Sequence, residues 1–182
     1  MKKHCMILPL ALILCFMVGC QDKEAMAELQ EYRARAEVEE QNKALIVRYF
    51  QEVDKGDVEV VNALIDEMFS PDYVGYFALS EQRGLNALKE HYSNSLLTFG
   101  NIKHTIENMI AEGNMVAVRC TFQATHQGEF MGVPASEKLL TCPIIYIFYF
   151  EDGKVKEARL DWDSLLGLAM QLGMELKPKE RE

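Results

Sequence analysis

The side chains best suited to chemistry in this sequence are its five cysteines and four histidines, which could bind metal, form disulfides or carry protons. His91, His104 and His126 are too far apart in the sequence to form a short metal-ligand motif. We therefore expect no metal site. Cys120 and Cys142 fall within predicted strands, where they form either a disulfide or two buried thiols on neighbouring strands.

Cys20 follows a segment with the form of a signal peptide. Residues 1–4 are basic, and the apolar run from Cys5 to Val18 is broken only by Pro9. At about 14 residues this run is too short to cross ~30 Å of hydrocarbon as a helix. The ending Val18-Gly19-Cys20 resembles a bacterial lipobox, whose cysteine thiol is alkylated by diacylglycerol and becomes the new N-terminus. We predict a signal peptide over residues 1–19 and lipidation of Cys20, the alternative being an ordinary secretory signal.

Lipidation would place the protein in the cell envelope as a lipid-anchored membrane protein. Acyl chains contribute ~0.8 kcal/mol per buried methylene, so two or three chains hold a protein on a membrane durably. In a cell with two membranes, Gln21 after the cysteine resembles the signal for sorting to the periplasmic side of the outer membrane. The net charge of −9 excludes nucleic acid as an expected partner and gives no attraction to anionic lipid.

Residues 20–41 contain no glycine or proline and are rich in charged helix formers. Ala25, Leu29, Tyr32 and Ala36 recur at helical spacing, but the apolar stripe is thin. The pattern predicts a lipidated N-terminus followed by a charged helical stalk. The alternative is a dimerising helix, so a homodimer is possible on this pattern.

Three stronger amphipathic helices and a series of strands follow over residues 42–174. The helices are predicted over residues 42–55, 58–69 and 85–99, with Asp57 as an N-cap and glycines as stops. Strands are predicted over residues 73–77, 102–110, 115–126, 139–150 and 155–163, where the apolar period becomes two. Pro143 lacks an N–H and predicts a bulge. A last helix over residues 164–172 precedes a polar tail, residues 175–182.

Helices followed by hairpin-connected strands predict an α+β domain. We expect a curved, antiparallel-rich sheet with about three helices packed on its concave face in a cone shape. A pocket between the two layers is the expected ligand site. In the strand over residues 155–163, alternation places Ala158, Leu160 and Trp162 on one face and Glu157, Arg159, Asp161 and Asp163 on the other.

Several short motifs carry a resemblance to one family over residues 42–174. They are residues 72–74 (DYV), 112–119 (EGNMVAVR), 125–134 (THQGEFMGVP), 152–155 (DGKV), 162–168 (WDSLLGL) and 171–173 (QLG). In this order they are similar to the SnoaL-like polyketide or ester cyclases of the nuclear-transport-factor-two-like superfamily. The resemblance implies ring closure by an intramolecular aldol step, without a cofactor, on a small hydrophobic or carbonyl-containing molecule.

The resemblance also implies site residues. Its acid–base aspartate corresponds by position to Asp163, whose pKa an apolar pocket would raise toward neutrality. Arg119 and His126, on a neighbouring strand, are candidates to stabilise an enolate oxygen. For each there is a structural alternative: Asp163 as the N-cap of the last helix, Arg119 in a cross-strand ion pair with Glu157 or Asp161, and His126 as an exposed turn residue.

Five further side chains are candidate pocket walls, with core packing as the alternative for each: Tyr49, Tyr73, Tyr76, His91 and Trp162. Two functions remain open on the sequence. One is an enzyme that transfers protons at Asp163, as an aldol-type cyclase or isomerase. The other is a non-catalytic module at the membrane surface that holds a lipid-like or aromatic ligand or dimerises through its sheet.

Overall fold

A computed structural model describes residues 7–77, 80–162 and 165–175, with side chains from residue 23 onward. The chain divides into two units, one up to Val38 and one from Glu39 onward. Helix α1, Ile7–Val53, is continuous, so the stalk and the first predicted helix of the domain form one element. In the first unit of the chain, the side chains of Met26, Leu29 and Tyr32 are exposed. The side chain of Cys20 lies outside the described residues, and lipidation stays a prediction.

No helix in the described part of the chain combines the length and the apolar character that crossing a membrane requires.

The remaining helices of the second unit begin and end close to the predicted positions. They are α2, Val58–Met68, α3, Gly84–Thr98, and α4, Leu165–Gln171. Asp57 caps α2 as predicted, because its carboxylate accepts hydrogen bonds from the backbone N–H groups of Glu59 and Val60 at 3.0 and 3.1 Å. After α1 the chain turns through Gly56, whose φ of +73° lies in the left-handed region that glycine tolerates best.

One curved, six-stranded sheet forms the second layer. Its strands are β1, Phe69–Phe77, β2, Ser80–Arg83, β3, Phe99–Glu112, β4, Met115–His126, β5, Leu139–Glu151, and β6, Lys154–Trp162. The spatial order is β2-β1-β6-β5-β4-β3, and neighbours are antiparallel except for the parallel pair β1 and β6. The predicted α+β class with an antiparallel-rich sheet is confirmed, although β2 was not predicted.

The prediction of a bulge at Pro143 is wrong. The pairing of β4 with β5 is continuous across the Thr121–Pro143 pair. Two residues earlier, Thr141 turns its backbone N–H and C=O away from β4, toward the side-chain amide of Gln171 at 2.9 and 2.8 Å. Because alternate residues of an antiparallel strand point their backbone groups the same way, the nitrogen of Pro143 also faces away from β4. The β4 ladder therefore loses no hydrogen bond.

The apolar core lies on the sheet face that the helices cover. In β4, the alternate residues Val116, Val118 and Cys120 are fully buried. The alternation predicted for β6 is confirmed, since Ala158 and Leu160 are buried whereas Arg159 and Asp161 are exposed.

Cys120 and Cys142 are present as buried thiols rather than as a disulfide. Cys120 pairs with Ile144 and Cys142 with Phe122, so the two thiols lie diagonally on β4 and β5. Both belong to the same cluster of buried residues. Their arrangement is that of small apolar side chains in a core.

Candidate functional site

A cavity of about 310 Å³ lies between the helices and the sheet. Its walls are rich in aromatic side chains, among them Tyr49, Phe50, Phe77, Phe122, Tyr146 and Trp162. The volume is at the small end of the range for ligand pockets, and an aromatic lining suits a small molecule with an apolar body. His91 and His104 also line this cavity, from α3 and from β3.

One polar residue of the cavity wall, His104, is held by a contact to Asp54. One carboxylate oxygen of Asp54 lies 2.6 Å from Nδ1 of His104, and the other accepts the backbone N–H of His104 at 2.8 Å. Only 5% of the His104 side chain is exposed. Because a carboxylate can only accept a hydrogen bond, Nδ1 carries the hydrogen and the ring orientation is fixed.

The other ring nitrogen of His104 is directed toward Tyr146, whose hydroxyl oxygen lies 3.3 Å from Nε2. Burial raises the pKa of Tyr146 well above its ordinary value, with smaller contributions from neighbouring groups. The phenol is therefore protonated and donates its hydrogen bond to Nε2. Since Nδ1 holds the hydrogen, Nε2 is a basic lone pair at the wall of an apolar cavity. An aspartate–histidine pair of this kind can accept a proton from a bound molecule.

Local structure brings these two residues together from distant parts of the sequence. Asp54 directly follows α1, where its backbone N–H still bonds to the carbonyl of Phe50 at 2.9 Å. In β3, a register irregularity between Gly100 and Lys103 precedes His104, and Asn101 has a φ of +51°. After Asn101, the alternate residues Ile102, His104 and Ile106 share the inward face.

Neither Asp54 nor His104 was predicted as a residue of this site, and His104 was considered only as a metal ligand. Among the described residues, no group of three or more Asp, Glu, His or Cys side chains could hold a metal ion. The signal that could have identified His104 is its alternation with Ile102 and Ile106, which predicts that the imidazole faces the core.

A second polar group lines the cavity from α3. The imidazole of His91 packs against Phe77 with ring centroids 4.6 Å apart, and its Nδ1 lies 3.4 Å from the amide nitrogen of Gln82. That amide nitrogen also donates to Ser80 Oγ at 2.8 Å. Burial lowers the pKa of His91, which favours the neutral ring.

Of the five predicted pocket walls, Tyr49, His91 and Trp162 line the cavity. Tyr73 does not: it is 1% exposed and packs in the core edge-on against Phe69. Tyr76 is on the opposite face of β1, where the guanidinium of Arg159 lies 5.0 Å from the centre of its ring. Adjacent positions in a strand face opposite sides, and Tyr76 has the parity of the outer face.

The residues predicted to stabilise an enolate are also placed elsewhere. Arg119 is exposed on the outer face of β4, so its predicted position at the cavity is wrong. It pairs with Glu107 at 3.3 Å, in place of the predicted partners Glu157 and Asp161. His126 is fully buried rather than exposed in a turn, with Nδ1 2.9 Å from Ser136 Oγ. It is not among the residues that line the cavity.

Asp163 lies outside the described residues. Its acid–base role and its alternative role as a helix cap both stay predictions.

The family model of the SnoaL-like polyketide cyclases matches residues 44–172. The chain therefore belongs to the SnoaL-like polyketide cyclase family, as the motifs of the sequence indicated. No match was found among curated protein sequences.

Solved structures with the same fold cover most of the domain. A proposed SnoaL-like polyketide cyclase from Jannaschia sp. CCS1 is similar with a TM-score of 0.68 and 23% identity, over 76% of this chain and 96% of its own. AclR from Streptomyces galilaeus, described as a proposed hydroxylase, is 29% identical with a TM-score of 0.63, over 76% and 97% of the two chains. TsrD from Streptomyces laurentii is 26% identical with a TM-score of 0.64, over 73% and 95%. The likeness to these structures establishes the fold, and a fold by itself does not determine a reaction.

Proposed function

We propose that this domain is an acid–base catalyst that acts on a small, partly apolar carbonyl compound, with His104 as the base. The observation that carries the proposal is the hydrogen-bonded pair of Asp54 and His104 at the wall of an aromatic cavity. Membership of the SnoaL-like polyketide cyclase family supports chemistry of the aldol-type cyclase or isomerase class.

In the proposed reaction, Tyr146 releases its 3.3 Å hydrogen bond to Nε2 of His104, and the freed lone pair of Nε2 takes a proton from a carbon atom next to the substrate carbonyl. The electrons of the C–H bond then form a carbon–carbon double bond, and the carbonyl oxygen becomes an enolate. Asp54 stabilises the imidazolium ion that forms, because its carboxylate already accepts the Nδ1 hydrogen. The side chain of His104 is 5% exposed and that of Asp54 is 23% exposed, so the charge pair is partly shielded from bulk water and interacts more strongly than two fully solvated charges. Return of the proton at the end of the reaction regenerates the neutral base.

Exchange of α-hydrogens for deuterium in 2-tetralone, a bicyclic aromatic ketone, tests this proposal without knowledge of the natural substrate. Proton NMR in D₂O should show exchange about 10²- to 10⁴-fold faster with the protein than in buffer, the range attributed to general acid–base catalysis. His104→Gln should lose about 10²- to 10⁴-fold of the protein-dependent rate, the range attributed to general acid–base catalysis. If 2-tetralone binds to the wild-type cavity and exchanges only at the buffer rate, the domain is a non-catalytic ligand-binding module.

We further propose that the domain is exported and held on the membrane of the cell envelope by acyl chains on Cys20. Support comes from the basic start, the short apolar run and the lipobox-like ending Val18-Gly19-Cys20. Cys20→Ala should move the protein from the membrane fraction to the soluble fraction and abolish incorporation of radiolabelled palmitate. Unchanged fractionation of this variant would show that something other than Cys20 attaches the protein. Gln21→Ser is the matched control, and it should leave the protein in the membrane fraction.

A further inference from the structure

Gln82 connects two residues of the cavity wall, and its orientation sets the hydrogen position on His91. The Gln82 side chain is buried, and its amide nitrogen contacts Ser80 Oγ at 2.8 Å and His91 Nδ1 at 3.4 Å. An amide nitrogen can only donate, so in this amide orientation, which leaves Gln82 Oε1 buried without a hydrogen-bond partner among the described residues, Nδ1 of His91 is the acceptor. The single hydrogen of a neutral His91 ring is then on Nε2.

The two cavity histidines therefore hold opposite tautomers. His104 carries its hydrogen on Nδ1, where Asp54 accepts it, and offers a lone pair at Nε2. His91 carries its hydrogen on Nε2 and so offers a donor. A base and a neutral donor in one apolar cavity are the two groups that removal of a proton next to a carbonyl requires.

Other polar side chains on this wall have their hydroxyl hydrogens committed elsewhere. Ser95 and Thr98 line the cavity from α3, but their hydroxyls donate to the helix carbonyls of His91 and Asn94 at 2.9 and 3.0 Å. The hydroxyl of Tyr92 donates to the carbonyl of Val53 at 3.3 Å. The other donor that α3 presents to the cavity is the side-chain amide of Asn94, which is exposed, so His91 is the partly buried donor for a substrate oxygen on the α3 side.

We propose that His91 is a second catalytic residue, whose Nε2–H donates a hydrogen bond to the carbonyl oxygen of the substrate while His104 removes a proton from the adjacent carbon. This inference rests on the proposed function and specifies its substrate class: an enolisable ketone or ester with an apolar, ring-sized body. As the C–H electron pair moves to form the double bond, the carbonyl π electrons move to oxygen. His91 stabilises that negative charge without giving up its hydrogen. Gln82 is a positioning residue, because it acts through the tautomer of His91.

The tautomers can be observed directly in the full chain labelled with ¹⁵N-histidine. Two-bond ¹H–¹⁵N spectra at pH 8 should show His91 protonated on Nε2 and His104 protonated on Nδ1, with signals assigned by His91→Phe and His104→Gln. Gln82→Leu should leave His91 as a mixture of tautomers. If His91 in the wild-type protein is protonated on Nδ1, the proposal is overturned.

Binding of a matched pair of probes tests the donor role apart from the base. 2-Tetralone and tetralin share one bicyclic skeleton, but only the ketone has an oxygen, and that oxygen can only accept. The wild-type protein should bind 2-tetralone about three- to tenfold more tightly than tetralin, the range expected for one neutral hydrogen bond. His91→Phe should remove the preference and keep tetralin binding, because phenylalanine can still pack against Phe77.

Three further outcomes separate the two proposals. His104→Gln should keep the preference for 2-tetralone while it loses α-deuterium exchange, which shows that the donor and the base are different residues. His91→Phe should slow exchange about 10²- to 10³-fold, as loss of one oxyanion donor does elsewhere. If the preference for the ketone survives in His91→Phe and disappears in Tyr146→Phe, the donor is Tyr146 and the role of His91 is overturned, while the proposed function stands.

Discussion

The carboxylate of Asp54 holds His104 by two contacts, one to its backbone N–H at 2.8 Å and one to its ring Nδ1 at 2.6 Å, across a separation of 50 residues. The first contact fixes the strand backbone against the end of α1, and the second fixes the tautomer of the ring. One side chain thus determines both the position and the basic nitrogen of the candidate base. A substitution at Asp54 that keeps the contact to the backbone N–H of His104 should therefore affect the chemistry more than the folding.

Asp54→Asn should lower the rate of 2-tetralone exchange by about 10²-fold or more, within the range of general acid–base catalysis. The asparagine side-chain oxygen can still accept the backbone N–H of His104, but the neutral amide cannot stabilise an imidazolium ion. Its NH₂ group can also donate to Nδ1, which moves the ring hydrogen of His104 to Nε2. Proton NMR exchange rates and far-ultraviolet circular dichroism should show lost activity in a folded protein. Asp161→Asn changes an exposed carboxylate on the outer face of β6 and should keep the wild-type rate.

The stability of the domain should fall in mild acid through His91. Burial holds the pKa of His91 below the 6.5 of an unperturbed ring. Between the folded and unfolded pKa values, the unfolded chain binds more protons than the folded domain, so the free energy of unfolding decreases as the pH falls below about 6.5. At pH 8 His91 is neutral in both the folded and the unfolded state, so its protonation no longer contributes to the free energy of unfolding.

Urea unfolding at pH 8 and pH 5 measures this term. The loss of unfolding free energy between the two pH values should be smaller in His91→Gln, whose side chain does not titrate, than in the wild-type protein. Because the two pH values are compared within one protein, any pH-independent effect of the substitution on the free energy of unfolding cancels. Equal losses in the two proteins would show that His91 contributes nothing to acid sensitivity.

The fold could be predicted from the sequence because local patterns encode it. The apolar period of α2, the cap at Asp57 and the alternation of β4 are each set by residues a few positions apart. The prediction of a bulge at Pro143 was wrong because it depends on pairing between strands. A proline nitrogen removes a ladder hydrogen bond only when it faces the paired strand, and the sequence does not specify which side of β5 it faces.

The site could be predicted only in part, because its contacts join distant segments. Alternation could show that Tyr73 and Tyr76 face opposite sides of β1, but it could not show that Tyr73 is covered by core residues instead of the cavity. The partnership of Asp54 with His104 joins the end of a helix to a strand, and no local pattern reports it. His91 was predicted as a pocket wall, whereas its tautomer depends on Gln82 in a strand that the sequence did not indicate.

Gly128→Ala should destabilise the domain and disturb the cavity together. A Cβ at this position would lie 2.3 Å from the backbone carbonyl oxygen of Leu97, which cannot move like a side-chain end. The connection after β4 bonds to Thr98 O through the backbone N–H groups of Gln127 and Gly128, both at 3.0 Å, and it carries Phe130 to the cavity wall.

We expect a loss of roughly 1–3 kcal/mol in the free energy of unfolding for this variant, as for other overpacked positions, and weaker binding of tetralin. Urea titrations and fluorescence binding measure the two effects. Glu129→Ala, the exposed neighbour, is the control and should change the free energy of unfolding by less than about 0.5 kcal/mol. Wild-type stability in Gly128→Ala would mean that the β4 connection moves freely away from α3.

Cys120 and Cys142 should be unreactive thiols in the folded protein. Burial raises the pKa of Cys120 to about 12, so almost none of the reactive thiolate exists at pH 8. The thiol of Cys142 is buried and donates to the carbonyl of Pro143 at 3.3 Å. Iodoacetamide added without reductant should leave both unmodified in buffer and alkylate both in 8 M urea, as peptide mass mapping shows. If neither peptide is alkylated in urea until a reductant is added, the two residues form a disulfide in the native protein, and the diagonal pair on β4 and β5 must shift to accommodate it.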